Sequence, residues 1–321
     1  MYTIALHIDL DLLKLHNMII DLKLLLNLCK DVDLIGIFRF NIRYRLLYHM
    51  DILHRRRKFL DPEWHHVRYY GISQWHGDTR KSIYMKEGYK AVPEYTNCYY
   101  IRVVRGDNLC ALRSTLIQFL RLYSPPMFDK NSAVGLVELI SRMAYAKRDM
   151  FVSDPSPDFK EHALLCIDAL HNIMSFVDDE ADDDARIALL MDAFDSNPTV
   201  EFMVLDSLKL LMLAHAEVQY QIMIRDEEVY PFVPLLFARS TSKTPAAFFK
   251  NHLRDLGHSA GLEQVELNLL SLALKVRIMV VRLSAYKEPD FITTFHYSDG
   301  ANHDKAIFLI SEDDRHYNIL K

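Results

Sequence analysis

Cysteine is scarce and scattered in this sequence. The four residues, Cys29, Cys98, Cys110 and Cys166, include no C-x-x-C pair, and no Cys/His grouping has zinc-ligand spacing. A disulfide scaffold and the common structural zinc sites are therefore excluded, and no metal or cofactor is expected. No signal peptide is visible at the amino terminus, so the expected compartment is the reducing cytoplasm. Charge of one sign is also lacking. A net charge of -5 gives no electrostatic case for nucleic acid as a partner, and none is expected. Long apolar runs are missing as well. The most apolar stretch, 10–28, is interrupted by Asp11, Lys14, His16, Asp21 and Lys23, so a spanning helix is not expected. There is no internal repeat and no low-complexity tract.

What is present suits an ordinary globular chain. Half of the 321 residues are hydrophobic and a quarter are charged, enough for one large domain plus an appendage or two small domains. Leu12, Leu15, Ile19, Leu22 and Leu26 recur three or four apart, as on one helix face. An aromatic and basic stretch follows, ending in Arg55-Arg56-Arg57-Lys58, and Asp61-Pro62 then breaks the pattern. The expected division is an amino-terminal helical extension over 1–62 and a main domain over 63–321. Residues 63–95 hold a dense aromatic cluster that serves as core, docking surface, or both. The segment 99–105 (YYIRVVR) predicts a strand leading into Gly106.

The middle reads helical. Leu112, Leu116, Phe119, Leu120 and Tyr123 mark one helix, stopped by Ser124-Pro125-Pro126. Further helices are predicted at 159–177, after the acidic run 178–184, and at about 200–220. That run is either a basic-partner or cation site or, more simply, a solvated helix start. In the last third, Val233 to Ala238 is a short apolar segment, and Gly257 and Gly261 bracket a loop. Residues 262–274 predict a helix; 276–283, 291–297 and 306–310 predict strands. Helices followed by clustered strands make the fold class α+β.

Two segments carry chemistry. In Arg105-Gly106-Asp107-Asn108-Leu109-Cys110 a strand meets a glycine turn and a helix opens at about Cys110, with Asp107 or Asn108 as its N-cap. A helix N-terminus offers unpaired N–H groups and partial positive charge. Both stabilise a thiolate and an acyl-transfer oxyanion. Alone, Cys110 reads more readily as a buried structural cysteine. The second segment is Glu312-Asp313-Asp314-Arg315-His316-Tyr317-Asn318. If 316–320 is extended, His316 and Asn318 share a face. The amide can then hold one ring nitrogen while the other takes a thiol proton, as in a Cys-His-Asn triad.

The blocks GDNLCALR and EDDRHYN together resemble the otulin family of OTU deubiquitinases. So do the segments 257–266, 75–81 and 85–89, in the same order over about residues 63–321. The resemblance implies a papain-like OTU fold, a central β-sheet flanked by helical subdomains. It implies a thiol protease that hydrolyses linear (head-to-tail) polyubiquitin, with ubiquitin and its linear chains as partners. By position Cys110 matches the nucleophile, His316 the base and Asn318 the residue orienting it. Asp107 matches an acid that holds the histidine unproductively until substrate arrives. Leu235 matches a contact to the distal ubiquitin; Tyr70 and Trp75 match contacts to the proximal one. Asp290 falls where the family has a glutamate touching ubiquitin. Leu109 replaces a tyrosine, and Gln74 a glutamate. These departures bear on linkage and affinity rather than on chemistry. The sequence stops at Lys321 without the family's PDZ-binding tail, and its amino-terminal part shows no equivalent of the family's ligase-binding motif, so neither of those partners is expected.

Two alternatives stand beside that reading. One is a catalytically silent, membrane-associated scaffold of the otulin-like kind, disfavoured because Cys110, His316 and Asn318 are all retained. The other is a cysteine peptidase of different ubiquitin linkage. Residues 1–60 also allow peripheral contact with internal membranes, through an apolar helix and a polybasic segment; a helix packed on the domain, or translated non-coding sequence, is the simpler account.

Overall fold

The computed structural model describes residues 58–122, 129–153, 158–296 and 306–321. The predicted amino-terminal helix, the basic stretch up to Arg57, the Ser124-Pro125-Pro126 stop and Tyr297 lie outside them. The described chain opens with strand β1 (His65–His66), helices α1 (Val67–Gln74) and α2 (Arg80–Thr96), and strand β2 (Tyr100–Arg102). A helical stretch follows: α3 (Cys110–Leu122), α4 (Lys130–Ser141), α5 (Phe159–Asp178), α6 (Asp183–Ser196), α7 (Pro198–Ile224), α8 (Phe232–Ala238), α9 (Pro245–Phe248) and α10 (Leu267–Leu274). Strands β3 (Arg277–Arg282), β4 (Ile292–Phe295), β5 (Ala306–Ser311) and β6 (Tyr317–Leu320) complete it. This is an α+β fold, with one six-stranded mixed sheet ordered β1-β2-β6-β5-β3-β4. Only β3 and β5 pair in parallel; the other neighbours are antiparallel.

Strand alternation divides the core in two. Ile278, Val280, Ile307, Leu309 and Ile319 join the large core built on α3, α5 and α7, whereas Val281, Ile310, Leu320 and Ile101 join a smaller one under α1 and α2. Phe59 and Leu60 pack into the large core, and Leu60 bridges Val104, so packing reaches ahead of the Asp61-Pro62 break. Helix α7 is buried on nearly every side between Glu201 and Gln219, packing against α4, α5 and α10. Helices α1 and α2 cross tightly at Gly71, where a Cβ would sit 2.5 Å from the Tyr89 side chain.

The acidic run starts α6: Asp182 caps it through the N–H groups of Asp184 and Ala185. Its carboxylates are not left to water alone. Asp184 accepts from Trp64 Nε1 at 3.0 Å and Lys321 Nζ at 2.5 Å, and Asp183 pairs with Arg121 at 3.5 Å. Among the described residues no helix is long and apolar enough to cross a membrane.

Candidate active site

Helix α3 is buried along nearly its whole length, polar residues included. Buried polar groups must be paired, and here they fasten the helix to the sheet. Ser114 Oγ donates to Tyr317 O at 2.8 Å, and Gln118 Nε2 donates to Leu320 O at 2.6 Å and Phe308 O at 2.7 Å. Arg121 also reaches Leu320 O, at 3.2 Å. These bonds fix the register between the helix that starts at Cys110 and the strand that carries Asn318.

That register brings the thiol to the histidine segment. Cys110 Sγ donates to Arg315 O at 3.5 Å, and the backbone N–H of Tyr317 is directed at the sulfur, so its contacts lie on both sides of residue 316. The imidazole packs over Gly106, where a Cβ would lie 3.6 Å from Nδ1. Its Nε2 lies 3.0 Å from Asn318 Oδ1, although β6 begins only at Tyr317. Asn318 Oδ1 also accepts the Val104 N–H at 2.9 Å. An oxygen already serving an N–H donor accepts again from the ring, so Nε2 carries the proton and Nδ1 presents the lone pair.

Burial sets the charge state. It pushes the Cys110 thiol up, outweighing the Tyr317 N–H and Arg113, and it pushes His316 below its ordinary value despite Asn318. The resting pair is a neutral thiol and a neutral imidazole. Cys98 and Cys166 are raised by burial too, so what distinguishes Cys110 is its setting, not its exposure.

Asp107 has other partners than the expected one. Its carboxylate takes Arg113 Nη1 at 2.6 Å, Arg113 Nη2 at 2.9 Å, Arg105 Nε at 2.7 Å and the Leu109 N–H at 3.2 Å. Burial raises its pKa, but the Arg113 and Arg105 guanidiniums outweigh burial and hold it below the usual carboxylate range. The histidine-holding role does not describe this state, because the carboxylate's hydrogen bonds go to its own loop and helix. Instead it braces the turn ahead of Cys110, in which Asn108 adopts φ +63°. Glu201 completes the network through Arg113 Nε at 2.6 Å and Arg105 Nη2 at 3.3 Å.

The wall beside the nucleophile is held equally firmly. Leu109 packs where Gly257 (φ +86°) turns, and a Cβ there would meet Leu109 at 2.7 Å and Val152 at 2.9 Å. Two buried charges on α7 pin this contact. Lys209 donates to Met150 O and to Leu256 O, the latter at 2.9 Å; Asp206 receives the N–H groups of Val152 and Ser153 at 2.8–3.0 Å. Neither Asp206–Lys209 nor Arg113–Glu201 was anticipated from the sequence. The signal was available, since charges set among apolar residues of a helix must be paired.

The substrate candidates scatter. Leu235 on α8 is 64% exposed. Tyr70 and Trp75 are half-buried against the smaller core, and Trp75 Nε1 donates to Glu312 at 2.9 Å, so Trp75 does not stand outward on its turn. On the same helix Tyr69 and Ile72 are the exposed apolar residues. Asp290 pairs with Arg282, which also holds Asp314 at 2.7 Å. Among the described residues two groups have metal-ligand spacing, His162–Cys166–Asp206 and His252–Glu263–Glu266. Their donors already serve the protein: Ser153 Oγ bridges His162 and Asp206, while Arg239 and His252 occupy Glu266.

A family model, peptidase family C101, matches residues 60–321. Solved structures share the fold. A complex of ceOTUB1 with ubiquitin aldehyde and UBC13~Ub superposes with a TM-score of 0.54 at 12% identity, covering 86% of this chain and 98% of that one. An h/ceOTUB1 complex with the same partners gives 0.59 at 11%, covering 89% and 98%. An h/ceOTUB1 complex with ubiquitin aldehyde and UBCH5B~Ub gives 0.56 at 12%, covering 88% and 98%. The match over most of the chain, with an OTU fold, settles the family: the chain belongs to peptidase family C101, cysteine-type deubiquitinases of OTU fold.

Proposed function

We propose that the protein hydrolyses linear ubiquitin chains, with Cys110 as nucleophile, His316 as base and Asn318 as the group that orients the base. The observation that carries the chemistry is the thiol's contact with the backbone on either side of His316, whose ring is held by Asn318 through Nε2 alone. Nδ1 takes the thiol proton as sulfur attacks the carbonyl carbon of the distal ubiquitin's terminal glycine. The C–N bond then breaks, and the departing α-amine takes that proton. Water, deprotonated by the same nitrogen, cleaves the thioester and regenerates the thiol.

The N–H groups opening α3 are suited to the oxyanion. The linear preference rests on the resemblance and on an aromatic platform, Tyr70 and Trp75, of which Trp75 is tied to the turn that carries the base. An α-amine has no long lysine stem, so its ubiquitin must dock close to the scissile bond. Lysine-linked chains are the second reading, favoured by Asp290, whose carboxylate is engaged by Arg282, and by the half-burial of Trp75.

The test is incubation of the purified protein with each di-ubiquitin linkage. Linear di-ubiquitin is cleaved and Cys110→Ala is inert. Preference for a lysine linkage overturns the linear reading, and activity in Cys110→Ala overturns the nucleophile.

A further inference from the structure

The turn between β5 and β6 holds three consecutive carboxylates, each with a different attachment. Asp313 caps the turn itself, accepting from the N–H groups of Arg315 at 3.1 Å and His316 at 3.3 Å. Asp314, at φ +61°, is clamped by Arg282 of β3 at 2.7 and 2.8 Å. Glu312 reaches the other way, and one oxygen, Oε1, receives both Trp75 Nε1 at 2.9 Å and the Tyr89 hydroxyl at 2.5 Å.

We infer that Glu312 is a positioning residue: it ties the His316 turn to Trp75 at the end of α1 and to Tyr89 within α2, and thereby sets the imidazole against Cys110. The inference rests on the thiol–imidazole reading of the site.

Three observations carry it. Glu312 lies four residues before His316, with no regular element between them. Tyr89 is 1% exposed, so its hydroxyl has no water to turn to if the carboxylate leaves. Gly71 lets α1 close on the Tyr89 ring, where any Cβ would clash at 2.5 Å, so the donor cannot follow a displaced turn. Burial and the charge of Glu312 both raise the Tyr89 hydroxyl, which keeps it a donor at working pH. A turn released on this side would pivot about the Arg282–Asp314 clamp. Displacement of about 1 Å in a reacting group costs on the order of a hundredfold in rate.

The experiment uses the full chain, a mono-ubiquitin carboxy-terminal fluorogenic amide, and iodoacetamide alkylation of Cys110 followed by mass spectrometry across pH. Glu312→Ala should lower kcat by roughly 10- to 100-fold with KM changed less than about twofold. Its Cys110 alkylation profile should lose the low-pH limb that the imidazole supplies, as His316→Ala does. Glu312→Gln keeps a carbonyl oxygen for both donors and should return kcat to within about threefold. Trp75→Phe/Tyr89→Phe keeps the rings, removes both donors and should reproduce the Glu312→Ala loss; it decides the matter if Glu312→Ala fails to fold. A rise in KM alone, equal impairment in Glu312→Gln and Glu312→Ala, or a normal alkylation profile in Glu312→Ala overturns the inference. A wild-type profile without the low-pH limb instead overturns the thiol–imidazole reading beneath it.

Discussion

Deleting the Glu201 carboxylate should destabilise the protein far more than deleting a surface partner. Arg113 is 0% exposed, and its guanidinium is divided between Asp107 and Glu201 at 2.6–2.9 Å. Arg105 reaches both carboxylates as well, so Glu201→Ala takes a charged partner from the Arg113 guanidinium, which is itself closed to water. Breaking a buried pair by removing one partner costs about 3–5 kcal/mol. For a domain near this size, 1 kcal/mol moves Tm by about 2–4 °C, so the expected drop is roughly 6–20 °C. The assay is thermal denaturation with and without 0.5 M salt, roughly three times physiological ionic strength. Salt screens exposed pairs but barely touches desolvated ones, so the drop should persist. Arg113→Met/Glu201→Met should cost less than the sum of its single substitutions, because the charges leave together. A drop under about 3 °C in Glu201→Ala, or additivity in the double substitution, would show that water reaches the pair and refute the reasoning.

Leu235→Glu should raise KM for ubiquitin substrates about tenfold or more while Tm moves by under about 2 °C, since the side chain is 64% exposed and a buried charge at a contact is unpaired; unchanged KM would remove Leu235 from the interface. The acid limb of kcat/KM should have its midpoint below 6.5, because burial depresses His316 beneath that ordinary value and the neutral ring is the base. Asn318→Ala removes the main influence raising that pKa and should move the limb lower still, while cutting kcat. The same shift makes His316 cost stability as pH falls: protons prefer the unfolded chain below 6.5, down to the depressed folded pKa. A midpoint above 6.5 would mean that His316 is not the titrating base, or not buried as described.

The sequence made some elements plain and hid others for identifiable reasons. Helix α3 opens at Cys110 as predicted, α5 and α7 end near their predicted limits, and α6 follows the acidic run as expected. Helices α1 and α2 were not anticipated. Their residues are aromatic and charged rather than cleanly periodic, and α2 runs through Gly88 and Pro93, both ordinary breakers. Tertiary contact overrides local preference there: Gly88 sits against Leu283 and Tyr286, and Tyr89 fills the crossing with α1.

The candidate site was legible because each half is local. A glycine turn into a helix places a thiol at an N-terminus, and an H-x-N spacing places an amide beside an imidazole. What joins the halves is not local. Ser114 and Gln118 bond to β6 across about two hundred residues of chain, and no pattern within either segment specifies those partners. The sequence does show that something must bind them. Helix α3 carries Arg113, Ser114, Gln118 and Arg121 among apolar neighbours on every side, and polar side chains so enclosed need fixed partners. The carbonyls of a neighbouring strand are suitable acceptors, and β6 supplies Tyr317 O to Ser114 and Leu320 O to Gln118, donors one helical turn apart. The polar side chains of α3 that look least like core are therefore the ones that set the distance from Cys110 to His316.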